Sequence, residues 1–171
     1  MLTEDQFISY FEKLATAHRT IAHTEGGLKS FFEVEDTEEL TAFDEAIRNA
    51  TGSTVMLVVA GEEELDDNNS ESHLQVFDFQ IYILQKLKTG IKVPDIRSAC
   101  MAVLKTVLAR TKYDQRRGNV VPGKTVHFRI DKIPVRKVGP MNLNWYGYTA
   151  MLSFSCPFGL PVESGTWSDI P

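Results

Sequence analysis

The amino-acid sequence predicts an α+β protein, in which a mainly antiparallel sheet of long hairpins packs against about three helices. Residues 142–158 and 73–87 alternate apolar and polar side chains over unusually long stretches. Residues 94–112 instead carry an apolar stripe at helical spacing. Because side chains alternate across a strand but recur every three to four residues along a helix, these periods separate the two kinds of element.

The N-terminal half is predicted to contain two helices and two strands. The first helix covers residues 3–18, where Thr3 and Gln6 match a capping box. After a glycine turn, "LKSFFEV" is a short strand, and Asp36 and Glu39 form a second capping pattern before another helix. The run "STVMLVVAG" is continuously apolar, which is typical of a strand covered on both faces.

The C-terminal half is predicted to complete two long hairpins around one helix. "EEELDDNNSES" is a polar loop at the tip of the first hairpin, and Pro94 suits the start of the helix 94–112. "KTVHFRIDKIPVRKV" is a strand whose Pro134 requires an edge or a bulge. "GPMN" then turns the chain into the closing strand. We expect one domain over residues 1–158 and a surface tail over 159–171.

Composition limits the classes of function. The 171 residues, 43% hydrophobic and 24% charged, exclude wholesale disorder and a coiled-coil rod. The net charge of -5 argues against general nucleic-acid binding, and we expect no sequence-specific nucleic-acid partner. No run approaches membrane-spanning length, so a cytoplasmic protein with no membrane partner is expected. Cys100 and Cys156 lack a Cys-x-x-Cys companion and are interpreted as buried, reduced thiols.

Catalytic and ligand-binding motifs are weak. "HTEGG" places His23 two residues before Glu25, but no nucleotide-binding, zinc-protease or nucleophile-elbow motif accompanies it. The acidic stretch 62–71 lacks the glycine and the distal glutamate of an EF-hand. We therefore expect no enzyme activity, no catalytic residue, no cofactor and no metal.

Charged and apolar side chains instead suggest a subunit interface. An acidic stretch on one subunit could meet a basic patch on the next, because complementary charge fixes the register of docking. Trp145 and Met151 also interrupt the polar face of the closing strand, which ordinary apolar surface, a second packing layer or a subunit contact would each explain, and ordinary packing is the favoured interpretation. The candidate interface residues are Glu62, Glu63, Glu64, Asp66, Asp67, Arg110, Arg116, Arg117, Trp145 and Met151.

The order of these elements resembles the tail terminators of tailed phages and prophages and their head-to-tail connector relatives. The resemblance covers residues 1–158. It is carried by "STVMLVVAG", "HLQVFDFQIYILQKL", "PDIRSACMAVLKTVLARTK", and "VHFRIDKIPV" followed by "NWYGYTAMLSFSCPF". It implies a non-enzymatic homo-oligomeric ring, commonly of six subunits, that joins the tail tube to the head connector. In such a ring, Trp145, Met151 and the strand around Arg129 and Arg136 would be available to a neighbour. The protein would then be cytoplasmic during assembly and part of the virion tail afterwards.

Two other functions remain open at this stage. A small-ligand or protein-binding module with no virion role would use the same sheet, with a pocket beneath its aromatic row. An enzyme would depend on His23, Glu25 and dispersed polar residues.

Overall fold

A computed structural model describes residues 2–34, 40–67 and 73–159. It contains three helices and a six-stranded, mostly antiparallel sheet, which confirms the predicted α+β class. The helices are α1 (Glu4–Ala17), α2 (Leu40–Asn49) and α3 (Val93–Arg116). The strands are β1 (Phe31–Val34), β2 (Thr54–Asp67), β3 (His73–Lys86), β4 (His127–Arg129), β5 (Val135–Met141) and β6 (Trp145–Phe158).

The sheet has the order β1-β2-β3-β6-β4, and β5 pairs with β6 beside β4. The β1–β2 pair is parallel and all the other pairs are antiparallel. β3 and β6 pair along their whole lengths, from His73 opposite Phe158 to Lys86 opposite Trp145. This central pair therefore sets the register of the sheet.

One face of the sheet is covered by α1 and α3, and the other is partly covered by α2. The larger core cluster contains Phe7 and Phe11 of α1 and Ile96 and Leu104 of α3. The smaller cluster contains Phe43 of α2 with residues of β1, β2, β3 and β6. Because both faces of β2 near its start are covered, residues 55–59 are all buried, as their continuous apolar run predicts.

In the closing strand, β6, the even-numbered residues predicted to share an apolar face lie on the same side of the sheet. Ala150, Leu152, Phe154 and Cys156 are all buried in the larger cluster, on the face covered by α1 and α3. Phe154 lies 5.1 Å from Phe7, between ring centroids, so α1 packs directly on this row. The long strand therefore closes the core as its alternation predicts.

The structure confirms part of the capping box predicted at the start of α1. The amide of Thr3 donates to Oε1 of Gln6 at 3.2 Å, and the helix begins at the next residue. The second capping pattern, Asp36 and Glu39, lies outside the described residues.

The prediction of an acidic loop is wrong for residues 62–67, because strand β2 continues to Asp67. A β-bulge between Ala60 and Glu63 shifts the register, after which Glu63 opposes Phe77 and Asp67 opposes His73. Backbone pairing with β3 keeps this polar stretch extended, despite a composition typical of loops. Residues 68–72 of the predicted loop lie outside the described residues.

The third helix is longer than predicted and ends at Arg116. Its last turn is held by Asp114, which is only 3% exposed and accepts from Nε of Arg110 at 2.8 Å. The Tyr10 hydroxyl donates to the same carboxylate at 3.2 Å, linking α3 to α1. These bonds extend the buried face of α3 beyond its apolar stripe.

The single strand predicted over residues 124–138 is divided into β4 and β5. Both pair with the same side of β6, so Pro134 lies in the connection at the edge of the sheet, as predicted. "GPMN" is not the turn, because its first three residues belong to β5. The chain reverses at Asn142 and Leu143, which have positive φ angles of 41° and 70°.

Candidate assembly surfaces

The second half of β2 forms an acidic arm, residues 60–67, at one edge of the sheet. β1 pairs only with residues 56–59 of β2, so no described strand covers the outer edge of the arm. Glu62, Glu63 and Glu64 are exposed. Among the described residues, the arm therefore combines an unpaired strand edge with a high density of negative charge.

The arm is joined to the core through its base. The side chain of Gln75 is buried and donates to a carboxylate oxygen of Glu63 and to the carbonyl of Leu2. Sγ of Cys156 lies 3.6 Å from the carbonyl oxygen of Gln75. Glu63 is thus partly engaged within the subunit, whereas Glu64 and Asp66 make no ion pair or side-chain hydrogen bond with another described residue.

Glu64 and Asp66 share one face of the sheet, the face on which α2 packs. They oppose Val76 and Leu74 of β3, and even-numbered β3 residues such as Leu84 belong to the α2 cluster. Directly opposed residues in neighbouring strands point to the same face. The two carboxylates therefore form a negative stripe on the α2 face at the edge of the sheet.

The basic residues at the end of α3 form a second charged surface, the helix-end patch, made of Arg110, Lys112, Arg116 and Arg117. Asp114 neutralises Arg110 locally through the hydrogen bonds to its guanidinium group. The guanidinium of Arg117 stacks 4.5 Å from the ring centroid of Tyr113. Arg116 and Arg117 are both exposed, while Arg110 is occupied by a structural ion pair.

Among the described residues, no ion pair or hydrogen bond joins the acidic arm to the helix-end patch: Glu63 accepts from Gln75, and Arg110 pairs with Asp114. The structure thus does not pair these predicted interface residues within one subunit, and a contact between them would be made by two copies of the chain.

Of the two apolar residues predicted to face a neighbour, the structure exposes one. Met151 is 42% exposed on the α2 face of β6. Trp145 is only 3% exposed and belongs to the α2 cluster, so its side chain is not accessible to a neighbour in this subunit, as ordinary packing predicts. The sequence could not reveal this burial, because α2 covers the face that alternation alone marks as polar.

His23 has a structural environment rather than a contact with Glu25. Its Nδ1 accepts from the amide of Ser30 at 3.3 Å, and its Nε2 lies 3.5 Å from Oε1 of Glu12. The ring also lies 6.0 Å from that of Phe31. These contacts hold the loop before β1 against α1.

The two cysteines are buried free thiols, as predicted. Burial raises the pKa of the Cys100 thiol to about 12 and also raises the pKa of Cys156. A thiol with a raised pKa remains protonated near neutral pH and reacts poorly as a nucleophile.

Residues 2–34, 40–67 and 73–159 contain no group of three or more His, Cys, Asp or Glu side chains placed to hold a metal ion. None of the helices in these ranges is both long enough and apolar enough to cross a membrane. Helix α1 packs on the aromatic row of the sheet, which contains Phe77, Phe79 and Phe154. The ring of Phe7 lies about 5 Å from each of these three rings. The predicted location of a ligand pocket beneath this row is thus occupied by side chains.

Comparison with known proteins does not add a functional assignment. No protein-family model matches the chain, and no characterised protein matches it in sequence. The charged surfaces and strand edges of the subunit therefore provide the basis for a functional proposal.

Proposed function

We propose that this protein is a non-enzymatic structural subunit of a phage or prophage tail. Copies of the chain form a ring at the end of the tail, commonly of six subunits in the tail terminators that the layout resembles, and the ring joins the tail tube to the head connector. The partners are other copies of the chain, the tail-tube protein and the connector protein. The subunit is cytoplasmic during assembly and part of the virion tail afterwards.

The observation that carries the proposal is the acidic arm, a strand edge that no other described strand covers and whose charge is opposite to that of surfaces elsewhere on the subunit. A cyclic head-to-tail ring needs two different, complementary surfaces on each copy. The acidic arm supplies one of them, and basic side chains beyond β6 can supply the other. Strand edges left open in a small domain favour association with a further chain.

The order of elements also supports a tail role. The long hairpin of β2 and β3, the helix α3 and the closing strand β6 follow one another as in tail terminators. Cys100 and Cys156 are buried and His23 bonds to the backbone of Ser30, which favours a structural role for these residues over a catalytic one.

The molar mass of the purified protein, measured by light scattering over a concentration series, tests the proposal directly. We expect a closed species whose mass is a whole multiple of 19.3 kDa, with rings visible by negative-stain electron microscopy. Raising the ionic strength should dissociate the rings, because exposed charge pairs are screened by salt. A protein that remains monomeric up to its solubility limit would contradict a self-assembling ring.

A further inference from the structure

The edge of the sheet opposite the acidic arm carries exposed positive charge. β4 and β5 are the outermost described strands on this side. We define the basic edge as Arg129, Lys132, Arg136 and Lys137, all of which are exposed. None of these four side chains makes an ion pair or a side-chain hydrogen bond with another described residue. Asp131 is the one acidic residue within the same stretch.

Arg129 and Arg136 lie on the same face of the sheet as the negative stripe formed by Glu64 and Asp66. Arg129 opposes Ser153 and Arg136 opposes Thr149, both odd-numbered residues of β6. Odd-numbered β6 residues point away from α1 and α3, as the burial of Trp145 in the α2 cluster shows. Met151 lies between Ser153 and Thr149 on this face. The cations therefore flank an exposed apolar side chain.

We propose that the acidic arm of one copy docks on the basic edge of the next copy, with Glu64 and Asp66 facing Arg129 and Arg136. This inference rests on the proposed ring and identifies the surfaces that join its subunits. The negative stripe of Glu64 and Asp66 and the cations Arg129 and Arg136 all lie on the α2 face, but at opposite edges of the sheet. Copies placed side by side with the same orientation therefore bring opposite charges together at every junction. The arm and Met151 are covered in the same contact.

The basic edge is a better counterpart for the arm than the helix-end patch predicted from the sequence. Within that patch, Asp114 already neutralises Arg110, and Arg117 stacks on Tyr113. Arg129 and Arg136 make no ion pair with another described residue, and they belong to the outermost described strands of the sheet. An edge-to-edge contact also covers strand edges that no other described strand covers.

Charge reversal at the two surfaces tests the inference. An arm variant carries Glu64→Arg and Asp66→Arg, and an edge variant carries Arg129→Glu and Arg136→Glu. Glu63 is left unchanged because it accepts from the buried Gln75 side chain. Each variant alone places like charges at every junction. We expect the concentration needed for half-maximal assembly to rise at least about tenfold in each case.

Mixing the two variants in equal amounts should restore assembly. Each positive arm then meets a negative edge, and each negative arm meets a positive edge. We expect closed species in which the two variants alternate, detected by native mass spectrometry. Recovery on mixing also shows that both variants fold. A matched control carries Arg116→Glu and Arg117→Glu, with the same net charge change as the edge variant, and should assemble within a few-fold of the parent.

The results separate this inference from the proposed function. A parent protein that never self-associates contradicts both. A parent that forms rings, with an edge variant that assembles equally well, contradicts only the assigned surfaces. Loss of assembly in the Arg116 and Arg117 control alone would identify the helix-end patch as the counterpart of the arm. Folded variants that fail to recover on mixing would also overturn the assignment.

Discussion

Replacing Phe7 with alanine should remove the main contact between α1 and the sheet. Phe7 has 0% of its surface exposed, and its ring lies 5.0 Å from Phe77 and 5.3 Å from Phe79, measured between centroids. Truncating a fully buried phenylalanine removes its transfer free energy and leaves a cavity. We expect Phe7→Ala to lower the free energy of unfolding by about 4 kcal/mol. In a chain of this size the melting temperature should then fall by roughly 8–16 °C.

Urea unfolding monitored by far-UV circular dichroism measures this loss at a fixed protein concentration. Phe7→Leu is the matched control, because it retains most of the apolar volume, and should lose about 1–2 kcal/mol. The dependence of the free energy on urea should be similar in both variants, since the surface exposed on unfolding changes little. A loss below about 1 kcal/mol for Phe7→Ala, with an unchanged urea dependence, would refute the packing of α1 on β3 and β6.

Two further changes test the central strand pair and the buried thiol. A Cβ added at Gly147 would lie 1.9 Å from the carbonyl oxygen of Ile83, so Gly147→Ala should open the β3–β6 ladder and cost about 3 kcal/mol or more in unfolding experiments. Ser153→Ala on the same strand should stay within about 0.5 kcal/mol of the parent, and equal stability of the two variants would contradict the close approach. Burial keeps the Cys100 thiol protonated up to a pKa of about 12, whereas an unfolded thiol ionises near its ordinary value of 9.0. The unfolded state therefore binds fewer protons above pH 9, so this thiol's contribution to stability should be lost as the pH rises toward 12. Unfolding curves across this range, compared with those of Cys100→Ala, measure that contribution. Alkylation of native Cys100 at pH 8 as rapid as in urea would argue against its burial.

The periodic parts of the fold could be predicted from the sequence, because burial on one face imposes a detectable period. The alternation of residues 73–87 and 142–158 identified β3 and β6, and the apolar stripe beginning near Ile96 identified α3. The end of α3 was missed because Asp114 is polar in the sequence but buried through bonds to Arg110 and Tyr10. Only tertiary contact shows that this position belongs to the core.

The candidate interface was less predictable, because strand pairing decides which side chains lie at an edge. Composition predicts a loop for the acidic residues, although pairing with β3 makes residues 62–67 part of β2. Trp145 interrupts a polar face in the sequence, but α2 covers that part of the face. The resemblance to tail terminators predicts that the strand around Arg129 and Arg136 is available to a neighbour. Their position at the edge opposite the arm follows from the order of the strands.

The prolines of the outer strands affect the solubility of the subunit before it assembles. Pro134 lies between β4 and β5, and Pro140 lies within β5, so neither position offers an amide hydrogen to an approaching strand. An extended peptide from an unfolded protein would therefore find an interrupted ladder along this edge. Replacing these prolines would lengthen the run of available donors. The edge would then be more open to fibril-like stacking, in which backbone pairing rather than charge selects the partner.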